Sequence, residues 1–179
     1  MNNTNPQHVF RFCPRCGSSN FTPFDNKAHR CEQCRFELYT NASGAVVAII
    51  RNEQNEILFT RRAFNPGKGT LDLPGGFIDP GETAEEALVR EIYEELNLHI
   101  SKAVYKGSFA NEYMYSGLSV FTVDLVFECE VQDFSTLQVA DDVSSYEFHH
   151  ATPHIVEQIK LHSIRNIVKR EYSNIPTVS

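Results

Sequence analysis

The chain has 179 residues, of which 41% are hydrophobic and 22% charged, and its formal net charge is -7. That length allows one well-buried domain with something small attached. The acidic balance argues against a general nucleic-acid surface, which needs clustered Lys and Arg, but not against a nucleotide substrate whose charge a bound divalent cation offsets. Met1 to Phe12 is polar with no apolar h-region, and the longest aliphatic run, Ala45 to Ile50, is far too short to span a membrane. A cytoplasmic protein with no membrane partner is expected.

The first chemistry-bearing pattern is Cys13-Pro14-Arg15-Cys16 and Cys31-Glu32-Gln33-Cys34, separated by the fourteen residues Gly17 to Arg30. Each Cys-x-x-Cys makes a small knuckle, and two knuckles close a tetrahedral four-sulfur site for structural Zn²⁺, a zinc ribbon. Disulfides are disfavoured without a secretory signal, and a redox Cys-x-x-Cys does not usually come in duplicate. His29 is a fifth candidate ligand, read as a polar neighbour. A segment this small has almost no core, so the metal would hold it folded, with Phe21, Phe24 and Phe36 packing between the knuckles or onto the next domain. Its role is either binding of nucleic acid or a partner, or a structural cap or dimer element. Arg15, Lys27, Arg30 and Arg35 are interspersed with Asp25, Glu32 and Glu37, which favours the structural role. The expected boundaries are residues 1–40 for the ribbon and 41–179 for the main domain.

Gly44 to Ile50, GAVVAII, reads as a buried strand of small and β-branched residues. After a turn at Asn52 to Asn55, Glu56 to Arg62 reads as a second strand, expected to pair with the first as a hairpin. Arg61 and Arg62 point to opposite strand faces, so one of the two is expected to reach a substrate phosphate. The Gly-rich loop Asn65 to Thr70 carries Lys68 toward the same place. Leu71 to Pro74 is then a short apolar run leading into Gly75 and Gly76, a turn that opens amides and carbonyls to a ligand.

Thr83 followed by Glu86 reads as a capping box after the Pro80-Gly81 turn, and Ala84 to Leu96 has no Gly or Pro to interrupt a helix. On that helix Glu91, Glu94 and Glu95 stand at i, i+3 and i+4 and share one face, while Val89, Ile92 and Leu96 are expected to face a core. Each like-charge pair costs an isolated helix roughly 0.2–0.5 kcal/mol. Alone, such a run is most simply a solvated acidic face. Beside a glycine turn it points to a cation, and an oxygen-only, highly charged donor set suits Mg²⁺.

Farther on, Val104 to Phe109 and Leu118 to Val131 read as strands joined by a hairpin loop, Asn111 to Gly117, whose Tyr113 and Tyr115 could stack on a base. Cys129 falls in an apolar-alternating run and is expected to be buried. A polar loop with Asp141 and Asp142 precedes a short strand, Tyr146 to Phe148. Thr152-Pro153 opens a helical region to about Tyr172, with Ile155, Ile159 and Ile167 on its apolar side.

The stretch from Gly76 to Leu98 resembles the Nudix box, Gly-x5-Glu-x7-Arg-Glu-U-x-Glu-Glu-x-Gly-U with U a bulky aliphatic. It is matched by Gly76, Glu82, Arg90, Glu91, Ile92, Glu94, Glu95 and Leu98. The departure is Asn97 where the family has Gly; the place calls for a left-handed helix terminus, which Asn tolerates. The resemblance implies an α/β fold, an α/β/α sandwich with a mixed sheet. It also implies hydrolysis of a phosphoanhydride in a nucleoside diphosphate linked to X, with Mg²⁺ or Mn²⁺.

On that resemblance Glu91, Glu94 and Glu95, with a carbonyl of Gly75 or Gly76, hold the metal, Arg90 orients a carboxylate and Glu82 has a supporting or metal-linked role. The general base is one of Glu94 and Glu95 or a loop acid, Asp142, Asp141 or Glu112. A four-cysteine ribbon before the box resembles the NADH pyrophosphatase branch. That branch also carries Ser-Gln-Pro-Trp-Pro-Phe-Pro-x-Ser, and this chain has no Trp and no such segment. ADP-ribose or another ADP-containing dinucleotide is therefore favoured. Homodimerisation is a further implication by analogy. The competing reading is a nucleotide sensor whose ribbon binds nucleic acid or a protein; every metal glutamate is retained, which ranks the enzyme first.

Overall fold

The computed structural model describes residues 4–173, which divide into two compact units. The first comprises Met1–Ala42 and Glu112–Phe121, the second Ser43–Asn111 and Thr122–Ser179. The tip of a later hairpin is thus grouped with the ribbon.

In the first unit a short helix α1 (Pro6–Val9) precedes an antiparallel sheet of β1 (Phe21–Asp25), β2 (Ala28–Cys31) and β3 (Glu37–Tyr39), in that order. The two knuckles repeat one another. Gly17 N–H donates to the Cys13 carbonyl at 2.8 Å and Arg35 N–H to the Cys31 carbonyl at 2.9 Å, and Gly17 and Arg35 have φ of 73° and 61°. Phe21 is buried and Phe36 partly buried beside Cys13 and Cys31, whereas Phe24 is exposed with the Arg30 guanidinium 4.3 Å from its ring.

The second unit is organised around β4 (Ser43–Ile50), because its small and β-branched residues are buried on both faces. It is followed by β5 (Ile57–Arg62), β6 (Leu71–Asp72), α2 (Ala84–Leu96), β7 (Ile100–Tyr115), β8 (Leu118–Val131), β9 (Val143–His149), α3 (Pro153–Glu157) and α4 (His162–Ser173). One sheet runs β4-β8-β7, with β4 and β8 parallel; the other runs β6-β5-β9, antiparallel throughout. Val46, Ala48 and Ile50 pack with Ala87, Leu88, Ile92 and Leu96 of α2, while Val47 and Ile49 pack with Ile155, Ile164 and Ile167 of α3 and α4. Helices thus cover both sides of the strands, the α/β/α arrangement, and a strand buried on both faces reads as a continuous apolar run.

The expected hairpin ladder of the first two strands does not form: the chain closes antiparallel at the single Arg51–Ile57 bridge just past β4, and β4 and β5 lie in different sheets. The reason is competition for the strand edge. β8 takes one edge of β4, and the glycine turn takes the other, with Val46 N–H donating to the Gly76 carbonyl at 2.8 Å and Ala48 N–H to the Pro74 carbonyl at 2.9 Å. β7 is longer than its apolar run and continues to Tyr115, so Tyr113 and Tyr115 lie on a strand and not in an open loop. The expected C-terminal helix is two, broken between Glu157 and His162. Cys129 is buried. Among the described residues no helix is long and apolar enough to cross a membrane.

Candidate active site

The site begins with how α2 starts and stops. Thr83 Oγ1 accepts from Glu86 N–H at 3.2 Å, and the Glu86 carboxylate accepts from Thr83 N–H at 2.8 Å, a complete capping box. At the other end Asn97 adopts φ 54°, the left-handed terminus expected of that position. Between these ends the helix buries a stripe of Ala87, Leu88, Ile92 and Leu96, and Glu95 lies on its margin. Val89, expected in the core, is 51% exposed, because it falls outside that stripe.

Glu95 is 7% exposed and its Oε2 accepts from Gly75 N–H at 3.0 Å. Burial pushes its carboxyl up to about 8, against the pull of the Gly75 amide; Asp72, Glu91 and Asp142 push further in the same direction. Glu91 is also raised by burial, Arg90 pulling the other way and Asp141 adding repulsion. The two glycines are what allow this approach. Gly75 has φ 138°, and a Cβ there would meet the Val46 carbonyl oxygen at 2.1 Å; a Cβ on Gly76 would lie 2.5 Å from the Glu91 carboxylate.

Arg90 ties the remaining acids together. Its Nε and Nη2 donate to Glu82 at 2.9 and 2.8 Å, Nη1 to Glu91 at 2.7 Å and Glu94 at 3.1 Å, and Nη2 also to the Phe77 carbonyl at 3.0 Å. These bonds bring Glu82 down to about 2 and raise Arg90 further above its already high range. One guanidinium therefore serves three carboxylates, leaving Glu95 with a single N–H. A buried carboxylate of this kind, among further acids, calls for a hard cation, so the oxygen donors fit a divalent ion of the Mg²⁺ class. The Gly76 carbonyl already accepts from Val46, whereas among the described residues no such bond engages the Gly75 carbonyl.

Arg61 and Arg62, one of which is expected to reach a phosphate, both hold partners within the protein. Arg61 pairs with Glu147 and donates to the Gly69 carbonyl at 2.9 Å; Arg62 donates to the Pro66 carbonyl at 2.6 Å and to Asp72 at 2.5 Å. Lys68 is exposed in its loop, and Glu112, Tyr113 and Tyr115 lie in the hairpin tip that belongs to the first unit. Sequence reasoning missed Asp72, buried in the site's supporting layer. Burial raises its carboxyl while Arg62 opposes the rise, and its Oδ1 accepts from Leu73 N–H at 2.9 Å. A charge inside the apolar run Leu71–Leu73 was the available signal. The buried Asp124, held by Thr122 at 2.6 Å, adds to the repulsion on Asp72.

In the ribbon Cys13 and Cys34 sulfurs are 3.7 Å apart, Cys16 and Cys31 3.6 Å apart, and all four lie within 4.8 Å of one another. A tetrahedron with metal–sulfur bonds of about 2.3 Å has edges of about 3.8 Å, so the four cysteines fit Zn²⁺. Among the described residues no three carboxylates gather so closely. His29 is outside this group: fully buried, stacked on Phe21 at 5.0 Å, its imidazole kept below the usual range by burial.

Fold comparison gives the class first: the α/β/α scaffold is like that in the crystal structure of a NUDIX hydrolase from Nitrosomonas europaea. That likeness has TM-score 0.67 and 22% identity, over 92% of this chain and 91% of that one. Residues 42–169 match the NUDIX domain, and the chain belongs to the NUDIX family. Among curated relatives it is 32% identical over 114 residues to the NAD-capped RNA hydrolase NudC of Vibrio parahaemolyticus, covering 64% of this chain and 43% of that protein. It is 50% identical over 64 residues to the ADP-ribose pyrophosphatase of Methanocaldococcus jannaschii, covering 36% of this chain and 37% of that protein. The matches span half or less of the length of these curated relatives.

Proposed function

We propose that the chain is a metal-dependent pyrophosphohydrolase acting on a nucleoside diphosphate linked to X, with ADP-ribose or another ADP-containing dinucleotide as substrate. The observation that carries this is Glu95: a carboxylate buried beside the Gly75–Gly76 turn, among Glu91, Asp72 and Asp142, whose negative charge the chain itself does not balance. The curated relatives support the substrate class, since NAD and ADP-ribose share an adenosine diphosphate joined to a second ribose.

Glu91, Glu94 and Glu95, with the Gly75 carbonyl, would hold the divalent cation, and Glu82 supports them through Arg90. When bound, Mg²⁺ or Mn²⁺ supplies neutralisation of the diphosphate and acidification of water. The chain's own part is positioning. Arg90 holds Glu82, Glu91 and Glu94 in one fan, the Gly75 amide fixes Glu95, and Arg62 with Asp72 anchors the strand from which the turn departs. Asp141 or Asp142, close enough for their charge to raise Glu91 and Glu95, would take the proton of the attacking water as the bridging oxygen leaves with one phosphate. The four cysteines would hold structural Zn²⁺.

The test is nucleotide release from a panel of ADP-ribose, NAD⁺, NADH, FAD, diadenosine polyphosphates, nucleotide sugars and nucleoside triphosphates, with Mg²⁺ and then Mn²⁺. Turnover of an ADP-containing dinucleotide that Glu95→Gln abolishes is expected. Tight binding of one compound with no turnover of any would replace the hydrolase with a sensor.

A further inference from the structure

The hydrolase reading leaves the ribbon unused, yet the first unit has a cleft of about 460 Å³ between β1 and the residues in and just after α1. Gln7, His8, Phe10, Arg11, Phe12 and Phe21 contribute to its lining, and no acidic side chain does. Although the whole chain carries -7, there is no Asp or Glu between residues 4 and 24. Arg30 and Arg35 are paired with Glu37 and Glu32, whereas Arg11 and Arg15 have no carboxylate partner among the described residues. Phe12 is 66% exposed, a large ring held in water. The Gln7 side-chain nitrogen is buried with no acceptor among the described residues.

We infer that this cleft binds single-stranded nucleic acid. Phe12 stacks on a base, and Arg11 of the lining, with Arg15 of the first knuckle, meets backbone phosphates. An unstacked base offers a planar face beside an anionic backbone, which a ring flanked by free guanidinium groups matches. An acidic peptide brings the charge without the ring, and a duplex keeps its bases stacked inside. The expectation against nucleic acid came from net charge averaged over the chain; residues 4–24 of the ribbon carry Arg11 and Arg15 and no carboxylate.

The test uses the full zinc-loaded chain carrying Glu95→Gln, no added Mg²⁺, and a labelled RNA of about ten nucleotides, followed by fluorescence anisotropy at low salt. Binding is expected, weakened about tenfold by Phe12→Ala. Arg11→Gln with Arg15→Gln should cut the slope of log affinity against log salt by about 1.4, two phosphates' worth for a single strand. Zinc content equal to that of the parent protein shows that each variant keeps the ribbon. No binding at low salt, affinity unchanged in both variants, or equal affinity for a glutamate-rich peptide or a duplex would each overturn the inference. Failure here is separable from failure of the hydrolase reading, because in the chain with Glu95 intact Phe12→Ala should leave turnover of small dinucleotides unchanged.

Discussion

The four cysteines of the ribbon and the carboxylates around Arg90 both gather like groups, and they are held in opposite ways. In the ribbon the sulfurs stand 3.6 and 3.7 Å apart in pairs, and the buried core beside them is Cys13, Phe21 and Cys31. In the second unit two apolar clusters, one on each side of the strands, carry the fold, while Glu91 and Glu94 are drawn to Arg90 and Glu95 to Gly75. A structural site is closed by its ligands and its folding depends on the metal. A site meant for turnover keeps positions open for substrate and rests on a scaffold stable by itself.

The strongest way to break that contrast is Cys31→Ser. Structural zinc in small domains is worth about 10–16 kcal/mol of folding free energy, so zinc should be released and hydrogen exchange should accelerate across β1 to β3. The second unit should keep its own melting transition; loss of both together would mean the ribbon is part of the main core. Next in size, Arg62→Ala leaves Asp72 buried without its partner and should cost about 3 kcal/mol in urea denaturation. Adding Asp72→Asn should recover part of that loss, and a double variant no more stable than the single one would show that the pair is not the anchor.

Glu95→Gln sharpens the contrast from the functional side. Turnover should fall at least about a hundredfold, near 2.7 kcal/mol, with the fold intact. A variant retaining most activity would remove Glu95 from the site. The smallest effect, taken per unit of pH, concerns the Glu95 carboxyl. Because the folded Glu95 carboxyl is raised to about 8 from 4.5, the folded chain holds a proton that the unfolded chain releases between those values. Without Mg²⁺, stability should therefore fall as pH rises from about 4.5 to about 8, by up to about 1.4 kcal/mol per unit for one proton. Subtracting the same curve for Glu95→Gln isolates this group; identical curves would mean that Glu95 is not held protonated.

Local signals carried the helix and the knuckles. The Thr83–Glu86 box, Asn97 at the terminus and the Cys-x-x-Cys pairs act through neighbours within a few residues, so spacing alone located them. Strand partnership was different. The run Gly44–Ile50 announced burial but not which strands would flank it, and nothing nearby said that Pro74–Gly76 would occupy the edge meant for β5. Val89 shows the same limit: helical spacing defines faces, but which face turns inward depends on what packs there. Arg61 and Arg62 were legible as cations and not as anchors, because Glu147 and Asp72 are far from or buried opposite them.

By itself the sequence determined the family, the helix bearing Glu91, Glu94 and Glu95, and the four-sulfur cluster, because each rests on short-range spacing. Only the tertiary structure decided that Glu95 is the buried member of the trio, that Arg90 holds the other two with Glu82, and that Asp72 stands behind them. Burial and charge balance are sums over elements distant in the chain, and a carboxylate's pKa is set by that sum and not by its neighbours in sequence.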